Sequence, residues 1–394
     1  MKLKRLISIL AALALCLCLA VPAAAADAQS AGLKFKPDGT FKIIHITDTQ
    51  DFILSCAVTQ EFLYGLAKTE KPDLFVLTGD NVTSGGAANF PKFIAKFLVK
   101  RGVDNLMKAF DKIYKDFGIP VTMVFGNHDN EAGPGKVSRA EQFAMYAAHK
   151  SFIGYYVEAA DQGTQDDQGQ HYGTHNLIVK DKTGTAPAFN LWMFDSGSYD
   201  PAGGYSCVQP QQLAWFEATN EANGYLPSFA FQHIIVREIL DFLTPESTLP
   251  EGTKGEMREP PCPSQGNHGQ YETLNSAGNV LAMFFGHDHK NTFELRLEGT
   301  DIVNSPCSGF GSYGDVDQRG ARVITLNQDD LTTYATKIVT FQDFYGPNTL
   351  RRARLAMYQE MSTWATLLDW ISFKPLFWFL DLIGSAPIYS PPAL

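Results

Sequence analysis

Basic residues are scarce in this chain: Lys and Arg together number 32 against 42 Asp and Glu, for a formal net charge of −10. A surface of that sign has little with which to replace phosphate counterions, which argues against nucleic-acid binding. Cysteine is sparse as well. Cys16 and Cys18 sit near the amino terminus, while Cys56, Cys207, Cys262 and Cys307 are far apart, with no Cys-x-x-Cys spacing. That disfavours a cysteine metal site and leaves either one disulfide, its pairing open, or free buried thiols. Apolar runs long enough to cross a bilayer are missing too. The nearest candidate, Leu6 to Val21, is short, follows Lys2, Lys4 and Arg5, and ends in Pro22 with Ala24-x-Ala26 as a small-residue cleavage site. Segment 1–26 therefore reads as a secretory signal rather than a membrane span, and leucine before Cys16 and Cys18 argues against a lipoprotein anchor. The expected location is secreted or extracytoplasmic, in a form that becomes more acidic once three basic residues are removed.

What is present is a construction repeated along the chain, an apolar run followed at once by metal-competent side chains. Phe41 to Thr47 leads to Asp48-Thr49-Gln50, Leu74 to Thr78 to Gly79-Asp80-Asn81, and Val121 to Phe125 to Gly126-Asn127-His128-Asp129. Later, Phe229 to Gln232 leads to His233, and Val280 to Phe285 to Gly286-His287-Asp288-His289. Short β-branched and aromatic runs predict buried strands, and ligands collect at the carboxyl ends of strands in α/β and layered folds. One such end could be a polar turn, Gly126 bending the chain and Asn127 and Asp129 bonding locally. Five together would gather mixed oxygen and nitrogen donors suited to a pair of divalent metals.

These blocks, in this order, resemble the signature of calcineurin-like metallophosphoesterases. Phe194-Asp195-Ser196-Gly197, Gln209 to Gln212 with Trp215 and Phe216, Ser308 to Gly314 and Arg319 to Val323 are similar to the purple-acid-phosphatase-like branch that includes yeast Dcr2. The resemblance implies an α/β (α+β) four-layer sandwich of two mixed sheets packed face to face with helices outside. It also implies hydrolysis of a phosphate mono- or diester by water activated between two divalent ions, Mn, Fe, Zn or Mg. Carried over by position, Asp48, Asp80 and His289 would hold one ion and Asp80, Asn127, His233 and His287 the other, with Asp80 bridging. Gln50 stands where the family usually has a histidine. His128 would protonate the leaving group and Asp129 would orient it. Thr83 occupies the place of the tyrosine that colours true purple acid phosphatases. The alternative is a catalytically weak or silent binding protein on the same fold, its site degraded at Gln50.

The remaining features divide the chain into 1–26, a phosphoesterase domain at 33–340 and an aromatic-rich helical tail at 341–394. Leu106, Phe110, Ile113, Tyr114 and Phe117 fall on one helical face and predict a core stripe. Glu158 to His175 and the proline-rich Thr244 to Gly269 read as loops over the site mouth, their His171, His175 and His268 as solvated. Asn81-Val82-Thr83 is a glycosylation sequon that the resemblance places in the metal cleft, where a glycan has no room. The tail, with Arg351, Arg352 and Arg354 followed by Trp364, Trp370 and Trp378, either packs on the domain or a second subunit, or anchors at a membrane surface with its arginines on anionic lipid.

Overall fold

The computed structural model describes residues 32–51, 56–164, 171–346 and 349–383; the expected signal segment lies outside them. Among the described residues eleven strands form two mixed sheets. The five-stranded sheet has the order β11-β10-β1-β2-β3 and the six-stranded sheet β4-β5-β6-β7-β9-β8. In the first, β1 (Thr40–Ile46), β2 (Leu74–Thr78) and β3 (Val121–Val124) are parallel, and β10 (Gly320–Asn327) and β11 (Asp330–Thr340) add antiparallel at one edge. In the second, β5 (Pro187–Met193), β6 (Ser228–Phe231), β7 (Val280–Phe285) and β9 (Asp301–Asn304) are parallel, with β4 (His175–Lys180) and β8 (Glu294–Leu295) antiparallel at the two edges.

Period-two alternation explains why the strands read as unbroken apolar runs. Ile43, Leu74, Val76 and Val124 point into the seam between the sheets, where they share a core with Leu191, Phe229, Phe231 and Phe284. Their neighbours Ile44, Ile46, Phe75, Leu77 and Met123 point the other way, into a core roofed by the Ala57–Glu70 and Lys92–Phe117 helices. The second sheet repeats this, Ala230, Met283 and Phe285 packing outward with Leu213, Trp215 and Phe216 of the Pro210–Ala222 helix. Helix, sheet, sheet, helix is the expected four-layer order.

Two expectations are corrected. On the Lys92–Phe117 helix, Leu106, Phe110 and Ile113 are buried, but Tyr114 and Phe117 are each 40% exposed, because the buried stripe runs through Ala95, Val99 and Val103 instead. His171 and His175 are fully buried. His175 opens β4, where its ring bonds the Thr122 hydroxyl at 2.9 Å and the Gly173 carbonyl at 2.7 Å, and burial lowers its pKa to about 4, so it packs as a neutral ring. Only His268 of the three is exposed.

Residues beyond 340 pack on the rest of the chain. Phe341 stacks on Phe62 at 4.0 Å, and Tyr345, Leu355 and Tyr358 join the helix-side core of the first sheet. Of the two alternatives for the tail, the described residues pack on the domain, and two of its arginines are used internally. Arg351 and Arg354 pair with Glu61, and Arg354 also meets Asp369 at 2.6 Å. Cys56, Cys207, Cys262 and Cys307 are free thiols, all but Cys262 buried. Among the described residues no helix is long and apolar enough to cross a membrane.

Candidate metal centre

The five strand ends converge. The loops after β1, β2 and β3 meet those after β6 and β7 along one edge of the seam, and Asp48, Asp80 and His233 bring donor atoms within 4.8 Å of one another. Glycine makes this approach feasible. A β-carbon on Gly79 would collide with the Gly126 backbone and the His233 ring, and one on Gly126 would collide with Asp80. Of the seven non-glycine residues with positive φ among the described residues, four are predicted ligands: Asp48 (54°), Gln50 (45°), Asp80 (48°) and His287 (70°). Each such residue costs about 1–3 kcal/mol, so the surrounding hydrogen bonds hold a strained backbone that aims these side chains inward.

Backbone carbonyls fix how two of the histidine rings are turned. His233 Nδ1 donates to the Thr78 carbonyl at 2.8 Å, and His289 Nδ1 to the Tyr313 carbonyl at 2.8 Å. Each ring therefore turns its Nε2 toward the carboxylates, 3.4 Å from Asp80 and 3.2 Å from Asp48 respectively. A histidine that ligates metal through one nitrogen is held by the other in this way. Asp48 Oδ2 accepts from Thr47 Oγ1 at 2.7 Å and from the His287 backbone at 3.0 Å, while its Oδ1 makes no aligned hydrogen bond. His287 Nε2 is likewise buried and unpartnered. Such orphaned donors are costly unless a cation takes them, so the set fits divalent metal.

The electrostatics agree. Burial opposes ionisation of Asp48 and Asp80, but the neighbouring histidines outweigh it and hold both carboxylates below their usual range. Burial also opposes charge on His233, and here the Asp80 and Asp48 carboxylates win, raising it to about 9. A proton and a metal thus compete for one place, and metal uptake is expected to release protons. Calorimetric titration in two buffers of different ionisation enthalpy measures that release; equal heats in both would show that none occurs.

Of the remaining predicted residues, Asn127 lies 3.2 Å from His233 Nε2 through its Oδ1. Gln50 is buried and donates its amide to Asp80 Oδ2 at 3.1 Å, beside the expected bridge. His128 borders the cleft, with Nε2 3.9 Å from Asp80 Oδ2. Asp129 does not orient it. Both Asp129 oxygens are taken by backbone amides, Val82 at 2.9 Å and Gly126 at 2.8 Å, which makes Asp129 a clamp on the loop. Glu131 stands there instead, its Oε1 2.6 Å from His128 Nδ1. The spacing was legible, since Glu131 follows His128 by three residues, and in the structure it caps the 3₁₀ turn His128–Asn130, on which residues three apart stack.

Three tyrosines carried no such signal. Tyr199 accepts from Asn127 at 3.3 Å, Tyr205 sets its ring on edge 4.3 Å from His287, and Tyr313 stacks on His289 at 4.2 Å. The other quoted motifs are supports. Asp195 is paired with buried Arg139, and Gln212 bonds the Asp195 carbonyl at 2.8 Å. Gly309 and Gly311 lie against the backbones of Thr49 and Gln50, where no side chain fits. Asn81 is buried and donates to the Val124 carbonyl at 3.0 Å, which bars a glycan from that sequon.

Comparison with known proteins agrees with this geometry. The chain is 28% identical to the Arabidopsis thaliana protein named probable inactive purple acid phosphatase 28, over 74% of this chain and 76% of that one. With probable inactive purple acid phosphatase 29 from the same plant it shares 27% identity, over 76% and 80%. It is 26% identical to the Saccharomyces cerevisiae phosphatase Dcr2 over 64% of this chain, which spans 42% of that protein. The family model for calcineurin-like phosphoesterases matches residues 41–291. With that match and the converged strand ends together, the chain belongs to the calcineurin-like phosphoesterase family, hydrolases of phosphate esters that work with two divalent metal ions.

Proposed function

We propose that this is an exported phosphoesterase acting on a phosphate mono- or diester, with Asp48, Gln50, Asp80, Asn127, His233, His287 and His289 around a dinuclear centre. The observation that carries it is the buried His287 Nε2, which has no hydrogen-bond partner, beside Asp48 Oδ1, which meets only His289 Nε2, and beside His233 and His289, each held by its Nδ1. When bound, the ions supply positive charge against the phosphoryl oxygens and acidity to the attacking water. The protein's own part is proton delivery. Glu131 holds His128 by Nδ1, which leaves an Nε2 proton facing the centre for the leaving oxygen. Burial opposes charge on His128, but the Glu131 hydrogen bond and the Asp80 charge raise it to about 9, so the ring is protonated at neutral pH. A screen of mono- and diesters with Mn, Fe, Zn and Mg supplied in turn tests the reading; no hydrolysis under any combination would overturn it.

A second reading, a weak or silent binding protein, is favoured by the names of the two plant relatives and by Gln50. A glutamine oxygen is a weaker ligand than imidazole for late transition metals. Gln50→His is therefore expected to raise affinity at one site and shift preference toward Zn or Fe in titrations of metal-free protein. Equal affinities would place position 50 outside the coordination sphere. Since Thr83 follows Asp80 where the coloured enzymes carry tyrosine, iron-loaded protein is expected to show no visible charge-transfer band, which absorption spectroscopy checks directly.

A further inference from the structure

The Lys92–Phe117 helix has two apolar faces, and packing uses one. Ala95, Val99 and Val103 are buried in the core, whereas Phe93 is 74% exposed, Phe97 66%, and Phe90, in the turn just before, 44%. Phe93 and Phe97 are four apart and so adjacent on the helix surface. Solvent-facing aromatics grouped in this way mark an interaction surface.

The charge around them selects a partner. From Phe90 to Val103 the chain carries Lys92, Lys96, Lys100 and Arg101 and no acidic residue, although its net charge is −10. Lys96 and Lys100 are engaged by Glu141 and Asp104, and among the described residues Lys92 and Arg101 make no ion pair. A second copy docking through a two-fold axis would set these cations against themselves. An anionic bilayer matches both features, phenylalanines entering the acyl boundary and basic side chains reaching the headgroups. The acidic remainder of the molecule would turn away from such a surface and so favour this orientation.

The patch also adjoins the metal centre. Ser84 donates to the His128 carbonyl at 3.1 Å, Ala87 bonds back to Ser84 at 2.9 Å and Phe90 to Ala87 at 3.1 Å. Gly85 lies so close to Glu131 that a β-carbon there would be 2.7 Å from its carboxylate. We propose that Phe90, Phe93 and Phe97, with Lys92 and Arg101, dock the protein on anionic phospholipid bilayers and set the His128 rim of the cleft beside the headgroup layer.

Co-sedimentation of the full mature protein with vesicles tests this, zwitterionic phospholipid alone against a mixture containing an anionic one. Binding is expected on the mixed vesicles and to weaken with salt. F93S/F97S is expected to lose about tenfold or more in partition, and K92Q and R101Q about fivefold each on anionic vesicles only. All three should keep the wild-type Tm and metal content. W378S/F379S, in the exposed carboxyl-terminal helix, is expected to bind like wild type. Wild-type protein left in the supernatant, undiminished binding by F93S/F97S, or loss in W378S/F379S instead would each overturn the proposal. So would a concentration-dependent dimer in gel filtration that F93S/F97S abolishes without any vesicle binding.

Discussion

Replacing His128 with alanine is expected to lower turnover on an alkyl phosphate by about 10²–10⁴-fold while leaving metal content unchanged. The asymmetry follows from position. His128 presents Nε2 to the cleft at 3.9 Å from Asp80, and its backbone amide, which donates to Asp80 Oδ1 at 2.8 Å, survives the substitution. An aryl phosphate, whose leaving group needs no proton, should lose much less. Glu131→Gln separates positioning from proton donation. Since the glutamate helps raise His128, its loss lowers the pKa, and activity that needs the protonated ring then fails at a lower pH. The alkaline limb of the kcat profile should shift to lower pH, with metal content unaltered. A limb that stays in place would remove His128 from the role of acid, as would an unchanged rate for H128A on the alkyl ester.

Cutting the chain after Thr340 is expected to abolish soluble expression rather than release a dispensable tail. The cut removes Phe341, Tyr345, Leu355 and Tyr358 from the core over the first sheet. A single buried Phe→Ala costs about 3–5 kcal/mol, against a total domain stability of about 5–15 kcal/mol. Asp369→Ala is the milder probe. It takes one carboxylate from buried Arg354 and the acceptor from Tyr358 at 2.8 Å, for an expected cost of about 3–5 kcal/mol. Denaturant unfolding of the full chain and this variant measures the difference. A folded, metal-loaded truncation would show that the tail is a separate unit after all.

Legibility in the sequence followed interaction range. The strand runs, the donors at their ends and the layer order were all readable. Burial on both sheet faces leaves a continuous apolar run, and a ligand placed one or two residues past it can turn only toward the strand's carboxyl end. The basic run beginning at Arg351 could not be assigned from its neighbours. Its partner Glu61 lies about 290 residues earlier in the chain, so the local pattern left both lipid and protein carboxylate open. His171 and His175 failed for the same reason, since a polar, glycine-rich flank describes the loop and not what closes over it.

The sequence by itself therefore determined which residues could bind metal and in which order the strands would present them, because those are properties of side-chain type and of a two-residue period. Only the tertiary structure decided which nitrogen each ligand histidine exposes, and that three tyrosines rim the centre. Those outcomes rest on contacts between elements distant in the chain, and no local pattern encodes them.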